Sequence, residues 1–454
     1  MHPNVTFGGG ATASTMSFTV LALMFLVIPL VLALPRKYAI APFLLFVFLT
    51  PIEQQFYVGG LHFFAQRIVI LCGCLRLFWA KAPAGGSIFG GGINRIDKVF
   101  LWWAIARATA FTLRFHDGGA LANQIGFIWD TVGGYFLVRY LIQDEDDIRR
   151  TAKVLAVIAV VMAGCMVYEQ RTLVNPFALL MGGKVHPDVR YGRVRCRGIF
   201  AQQILASAFG GTLVPLFCWL WKGGKSKIGA IAGLTASSLI TWTASSSTGI
   251  SAYLMGAGVL CMWPIRRHMR VVRWSIVAAI LGLTMMMKAP LWYIMARVDF
   301  VGGSTGWDRA YLVDQFVRHF TDWFLLGTDS AVWGDFTWDL CNQFVAEGSQ
   351  GGIVAFVLFI ALVALCFQRI GIARKAAEGD LRREKMLWML GALVAAHVAG
   401  FFGISYFDQS KVWWFATLAM ISAATTGVKP APAIKRIPEP EWNRWEADAP
   451  LAER

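Results

Sequence analysis

The sequence predicts an all-α, polytopic integral membrane protein, and three observations carry that reading. Hydrophobic residues make up 57% of the 454-residue chain and charged residues only 15%, with a mean hydropathy of +0.55; the surface of a soluble domain needs more charge than this. Apolar runs of roughly 17 to 22 residues recur along the chain and fit the hydrocarbon thickness of a bilayer. Lys and Arg then gather in every second connection between those runs, which is the charge pattern of a multi-pass helical protein. A transmembrane β-barrel would instead show short alternating strands.

Taken in order, about thirteen runs meet the length criterion. They lie near 18–34, 38–52, 61–80, 98–114, 121–142, 151–168, 199–221, 228–243, 248–264, 272–287, 350–368, 385–405 and 411–428. Arg36 and Lys37 follow the first run, and Arg76, Lys81, Arg95 and Lys98 the third. Arg149, Arg150 and Lys153 follow the fifth, and Lys222, Lys225 and Lys227 the seventh. Arg266, Arg267, Arg270 and Arg273 follow the ninth, and Arg374, Lys375, Arg382, Arg383 and Lys385 the eleventh. All are odd-numbered exits, so the positive-inside rule puts them in the cytoplasm, the N-terminus outside and the Pro-rich tail inside.

The net charge of +15 is therefore topogenic and implies no nucleic-acid partner. Met1 to Ser17 carries no basic n-region, so no cleaved signal peptide is expected. The chain divides into N-terminal membrane helices (1–287, with a basic outer loop at 169–197), a long outer loop with a surface helix (288–349), C-terminal membrane helices (350–428) and a cytoplasmic tail (429–454). The eight cysteines lack C-x-x-C pairs, so no metal site is expected; nor does any motif call for a cofactor. Most, such as Cys72, Cys74, Cys165 and Cys366, sit inside apolar runs as core residues. Cys196 and Cys341 fall in outer loops, either free or tied by a disulfide if the compartment is oxidising.

Two outer loops hold the candidate chemistry. The first, 169–197, has six basic and two acidic residues; the second, from Lys288 to Glu347, has four basic and eight acidic. A basic outer loop runs against the charge rule and asks for a local reason. Arg193, Arg195 and Arg197 alternate just before an apolar run, where planar guanidinium groups suit a phosphate at headgroup depth; the bland alternative is contact with anionic lipid. Arg309 and Arg318 come from the second loop, each with an Asp nearby. There, Thr305-x-x-Asp308 reads as a capping box, and Val313, Phe316, Val317 and Phe320 recur at helical spacing, predicting a helix on the outer membrane surface.

Asp339, Asn342 and Glu347 are candidates for proton transfer, weighed against helix capping and ion pairing; His319 is a candidate base, weighed against a solvated surface histidine. Within the runs, Arg107 and Asp130 fall at similar depth and read as a structural ion pair, weighed against a proton relay. The small polar stretch Ser245 to Gly249 reads as a close-packed turn or a ligand contact.

Three separated pieces together resemble the O-antigen ligase and polymerase superfamily of membrane glycosyltransferases. They are Arg195-x-Arg197-Gly198-x-Phe200, the loop helix with Trp307 and Arg309 followed by Phe324-Leu-Leu-Gly327, and Asn342-Gln-Phe-x-x-Glu347-Gly-x-x-Gly-Gly352. The resemblance covers about residues 195 to 368. It implies a GT-C-like enzyme of the bacterial inner membrane, active on its periplasmic face, that passes a glycan from undecaprenyl pyrophosphate to a lipid or glycan acceptor without metal or cofactor. It further implies that Arg195, Arg197 and Arg309, with Arg193 beside them, hold the pyrophosphate. Two departures stand out: Cys341-Asn342 occupies the place of the family's His-Asn, and Thr248 precedes Gly249 where an arginine is usual. The base is then Glu347, Asp339 or His319, or the chain is a divergent member. A flippase for a lipid-linked saccharide and a non-catalytic envelope-assembly protein are the alternatives.

Overall fold

The structure, a computed structural model, describes residues 14–58, 61–79, 87–223, 226–302, 305–334 and 337–427. Lys81, Lys225, Asp335, the tail from Lys429 and the first thirteen residues lie outside the described residues.

Each apolar run contains a helix. The order is α1 (Phe18–Ala33), α2 (Arg36–Leu49), the hairpin β1 (Gln55–Val58) and β2 (Leu61–Phe64), α3 (Ala65–Trp79), α4 (Arg95–Phe115), α5 (Gly118–Ile128), a π-turn (Trp129–Gly133), α6 (Gly134–Leu141), α7 (Glu145–Thr172) and α8 (Pro176–Met181). Then come the hairpin β3 (Asp188–Arg190) and β4 (Arg193–Arg195), α9 (Gln203–Lys222), α10 (Lys227–Thr243), α11 (Ser247–Cys261) and α12 (Met269–Met286). The chain closes with α13 (Ile294–Arg297), α14 (Gly306–Arg318), α15 (Phe320–Trp323), α16 (Gln343–Ala376), α17 (Leu381–Phe401) and α18 (Ser410–Ala424). By length and composition, four segments among the described residues are able to cross a membrane: Glu145–Thr172, Gln203–Trp221, Trp263–Met286 and Gln343–Ala376. The two short hairpins are the departure from a purely helical chain.

Polar residues set the helix starts. Asn94 and Asp97 form a reciprocal capping box on α4, and Asp144 caps α7 ahead of three further acids in its first turn, where the helix dipole favours negative charge. The basic connections meet at one end of the bundle: Arg36 pairs with Asp147 (2.5 Å) and Asp144 (3.7 Å), Arg382 with Glu145 (3.2 Å), and Arg266 with Glu384 (3.6 Å). The other end of α7 lies about 40 Å away. There Gln54 donates to the Met181 carbonyl (2.7 Å), and the Ala201 N–H to Asp408 (3.2 Å).

The expected Arg107–Asp130 pair is not formed. The π-turn adds a residue to the helical register and presents Asp130 to α3, where Arg67 holds both carboxylate oxygens at 2.8 and 2.6 Å. Arg107 instead pairs with Glu347 (3.0 Å).

Helix α16 breaks at Gly352, whose φ of 65° and ψ of −168° interrupt the helical path. A break leaves backbone groups without intrahelical partners. The turn after α15 supplies them: the Thr328 N–H donates to the Ser349 carbonyl (2.8 Å) and the Ile353 N–H to the Phe324 carbonyl (2.9 Å). The approach is so close that a Cβ at Gly327 (φ +80°) would meet the Ser349 oxygen at 2.3 Å, and one at Gly352 the Leu325 oxygen at 2.4 Å. Against this crossing packs a small separate core of Leu312, Phe316, Trp323, Trp333 and Val345. Helix α14 therefore turns Leu312 and Phe316 into this core, while Val317 on the predicted apolar stripe stays exposed. Thr305 precedes α14 but makes no side-chain cap bond, so the capping box read from Thr305 and Asp308 is corrected.

Gly352→Ala and Gly327→Ala should each destabilise the protein, because both the positive φ and the backbone crossing oppose a side chain; about 2 kcal/mol or more is expected. Thermal melting of the purified protein checks this, with Gly282→Ala, where a Cβ meets nothing within 4 Å, as the neutral control. Melting temperatures indistinguishable from the parent's would refute the crossing.

Candidate functional site

The basic hairpin explains the alternating arginines. Tyr191 (φ 48°) and Gly192 (φ 72°) both occupy the left-handed region, giving the two-residue turn whose twist matches a hairpin. The register pairs Arg190 with Arg193 and Asp188 with Arg195. Directly paired residues share a face and the side-chain period is two, so Arg190, Arg193 and Arg195 stand on one face with Asp188. The Cys196 N–H donates to the Thr243 carbonyl (3.1 Å), fixing the hairpin's base against the end of α10.

Opposite that face, Arg309 rises from the first turn of α14. Arg190, Arg193, Arg195 and Arg309 line one open recess of about 390 Å³, together with Ser245, Ser246, Ser247 and Thr305. None of the four arginines has an ion-pair partner among the described residues, and the Nε atoms of Arg195 and Arg309 are buried without a hydrogen-bond partner. Burial, then repulsion from Arg190 and Arg309, holds the Arg195 guanidinium below its usual range, although Asp188 offsets part of this. Burial does the same to Arg309, against the opposing pull of Asp339 and Asp308. An anion entering the recess would find unspent donors and would relieve that repulsion.

Arg197 does not join them. Strand β4 ends at Arg195, and Gly198 takes a φ of 56°, which breaks the two-residue alternation. Arg197 points into a second cleft and donates to the carbonyls of Lys184 (3.0 Å) and Ala201 (3.4 Å). Beneath it the Glu169 carboxylate accepts the N–H groups of Arg197 (3.3 Å) and Gly198 (2.9 Å). Arg197 thus organises the loop.

The four candidates for proton transfer separate clearly. Glu347 is fully buried and receives Trp103 Nε1 (2.8 Å), Arg107 (3.0 Å) and Gln343 (2.5 Å); so occupied, it is placed to hold α4 against α16. Asn342 caps α16, accepting from the N–H groups of Phe344 (2.9 Å) and Val345 (3.2 Å). His319 lies beyond the far end of α14, about 15 Å along the axis from Arg309, where it meets Asp322 at 3.1 Å. Asp339 alone is both solvent-exposed and close enough to Arg309 to act on its charge.

Cys341 is buried. Burial first, then the neighbouring Asp339, pushes its thiol far above the ordinary range, so it stays a neutral S–H and does not replace a histidine base. Cys196, its possible partner, is also a free buried thiol, pushed up to about 12 by burial and by Glu169.

Arg190 went unrecognised in the sequence, although Val189-Arg-Tyr-Gly-Arg-Val194 carries the alternation and turn of a hairpin. Among the described residues no group of His, Cys, Asp and Glu is arranged to hold a metal ion. No family model matches the chain, and no curated protein does.

Removing the carboxylate of Glu347 would strand the Arg107 guanidinium inside the bundle. Glu347→Ala should therefore cost about 3–5 kcal/mol, and the double variant Arg107→Met, Glu347→Leu much less. Comparing their thermal stabilities checks this; a single variant as stable as the double would show that the pair is not structural.

Proposed function

We propose that the chain is a multi-pass glycan ligase or polymerase of the bacterial inner membrane. About thirteen helices cross the bilayer, the segment 288–349 lies on the periplasmic side, and the donor is a glycan on undecaprenyl pyrophosphate. The observation that carries this reading is the convergence of arginines from two separate segments, the hairpin and α14, on one recess, none of them ion-paired among the described residues. Arg190, Arg193, Arg195 and Arg309 bind the pyrophosphate bidentately and stabilise the charge that grows on it. The acceptor hydroxyl attacks the anomeric carbon, the bond from that carbon to the phosphate oxygen breaks, and Asp339 takes the hydroxyl proton. Charge is conserved in the step: the pyrophosphate leaves with the bonding pair, and the carboxylate becomes a neutral acid.

A lipid-linked-saccharide flippase is the second reading, favoured by the interrupted helix at Gly352 and the paired Arg67 and Asp130 beside a π-turn, features that transporters use. Loss of the gene separates the two: unpolymerised or unattached glycan with carrier exposed outside supports transfer, whereas carrier trapped on the cytoplasmic face supports flipping.

Arg195→Ala and Arg309→Ala should each abolish the surface glycan at unchanged protein level. Asp339→Asn should slow transfer by on the order of a hundredfold or more without weakening donor binding, while His319→Ala leaves the rate unchanged. In vitro transfer with a lipid-linked donor reads all four, and full activity in Arg309→Ala would defeat the site.

A further inference from the structure

A second recess lies among α4, α5 with its π-turn, α16, α17 and α18, and opens onto about 350 Å³ of empty space that includes adjoining solvent. Its walls are mostly aromatic rings, including Trp103, Phe127, Phe359 and Phe415. Lys411, at the start of α18, also lines it. The three acids whose charge reaches Lys411 are committed elsewhere: Glu347 to Arg107 (3.0 Å), Asp130 to Arg67 (2.6 Å), and Asp408 to the N–H groups of Ser410 (2.9 Å) and Ala201 (3.2 Å). Lys411 has neither a hydrogen bond nor an ion pair from its ammonium among the described residues.

Two further polar groups on the same wall are unsatisfied. Thr131 Oγ1 and Trp414 Nε1 are buried without a hydrogen-bond partner, in residues only 1% and 4% exposed. Trp414 and Lys411 are donors only, and the Thr131 hydroxyl is free to donate. A recess whose open polar valences include two obligate donors, one of them charged, asks for an acceptor that carries negative charge. Its aromatic walls would gain nothing from a bare hydrated ion but would bury a carbon chain.

We propose that this recess binds an amphiphile whose phosphate or carboxylate head meets Lys411, Thr131 and Trp414 while its hydrocarbon body lies along the aromatic walls. The site is separate from the arginine recess, sharing none of its lining residues, and does not depend on the transfer reaction proposed above. A membrane lipid and a soluble anionic amphiphile offer the same chemistry, so the test distinguishes them.

Full-length protein in nanodiscs of neutral lipid is titrated with decyl phosphate, decanoate, decanol and inorganic phosphate, and thermal unfolding is followed. Decyl phosphate or decanoate should raise the melting temperature, decanol and inorganic phosphate should not, and Lys411→Gln should weaken the effect at least tenfold while Arg309→Ala leaves it intact. Native mass spectrometry of protein extracted from membranes then reports the source: a retained anionic lipid identifies a membrane ligand, and an empty protein that binds added amphiphile identifies a soluble one. A diazirine-bearing decyl phosphate needs no variant, so it decides the matter even if Lys411→Gln misfolds; its crosslinks should map to α4, α16 or α18. Binding that is equal in parent and Lys411→Gln, absent from the parent, or crosslinked only to the arginine hairpin overturns the proposal.

Discussion

The break in α16 is the constraint on which the rest of the arrangement depends. A helix that stops and restarts among apolar side chains must find partners for the backbone groups it frees, and water is not there to supply them. The turn after α15 provides those partners, and only glycine at 327 and 352 lets the two backbones come close enough. This crossing stitches the segment that carries α14 and α15 to a buried helix. It seats the aromatic core around Phe316, and that core in turn fixes α14 and the Arg309 on its first turn. Loosen the crossing and the position of Arg309 relative to the hairpin is no longer defined.

Charge is then distributed by depth. In the bundle, Glu347, Asp130 and Asp97 are matched to Arg107, Arg67 and Arg139, as burial demands. In the arginine recess the reverse holds, with four guanidinium groups and no ion pair among the described residues. Matched charges hold helices together; unmatched ones keep their donors for something else. That contrast, within one chain, separates the structural arginines from the candidate functional ones more sharply than any motif does.

The helices were legible in the sequence because length and hydropathy suffice to mark them, and their relative ends were legible because Lys and Arg follow the odd-numbered runs. Finer assignments needed information that spacing does not hold. Arg197 continues the alternation of Arg193 and Arg195 on paper, yet Gly198 bends the chain and sends it to another cleft. Glu347 looks like an accessible carboxylate at a loop's end, because one chain segment cannot reveal that Arg107, some 240 positions earlier, lies against it. Asp130 sits at the depth of Arg107, but a π-turn, which has no reliable sequence signal, aims it at Arg67. Tyr191-Gly192 did carry a hairpin signal, masked by the helical character of everything around it.

Cys341 shows what the geometry asks of the chemistry. A buried neutral thiol accepts no proton, so on the proposed reaction the demand passes to the exposed Asp339. A solvated carboxylate is a weak base for an alcohol in its ground state, but the hydroxyl becomes acidic only as its oxygen bonds to the anomeric carbon. If cleavage runs ahead of attack, the transition state carries positive charge on the sugar and negative charge on the departing pyrophosphate. The larger share of the stabilisation then falls to the groups facing the leaving group, and proton removal comes late. On the proposed reaction, four arginines around one recess would suit that division of labour, the cations favouring departure and the carboxylate collecting a proton already leaving.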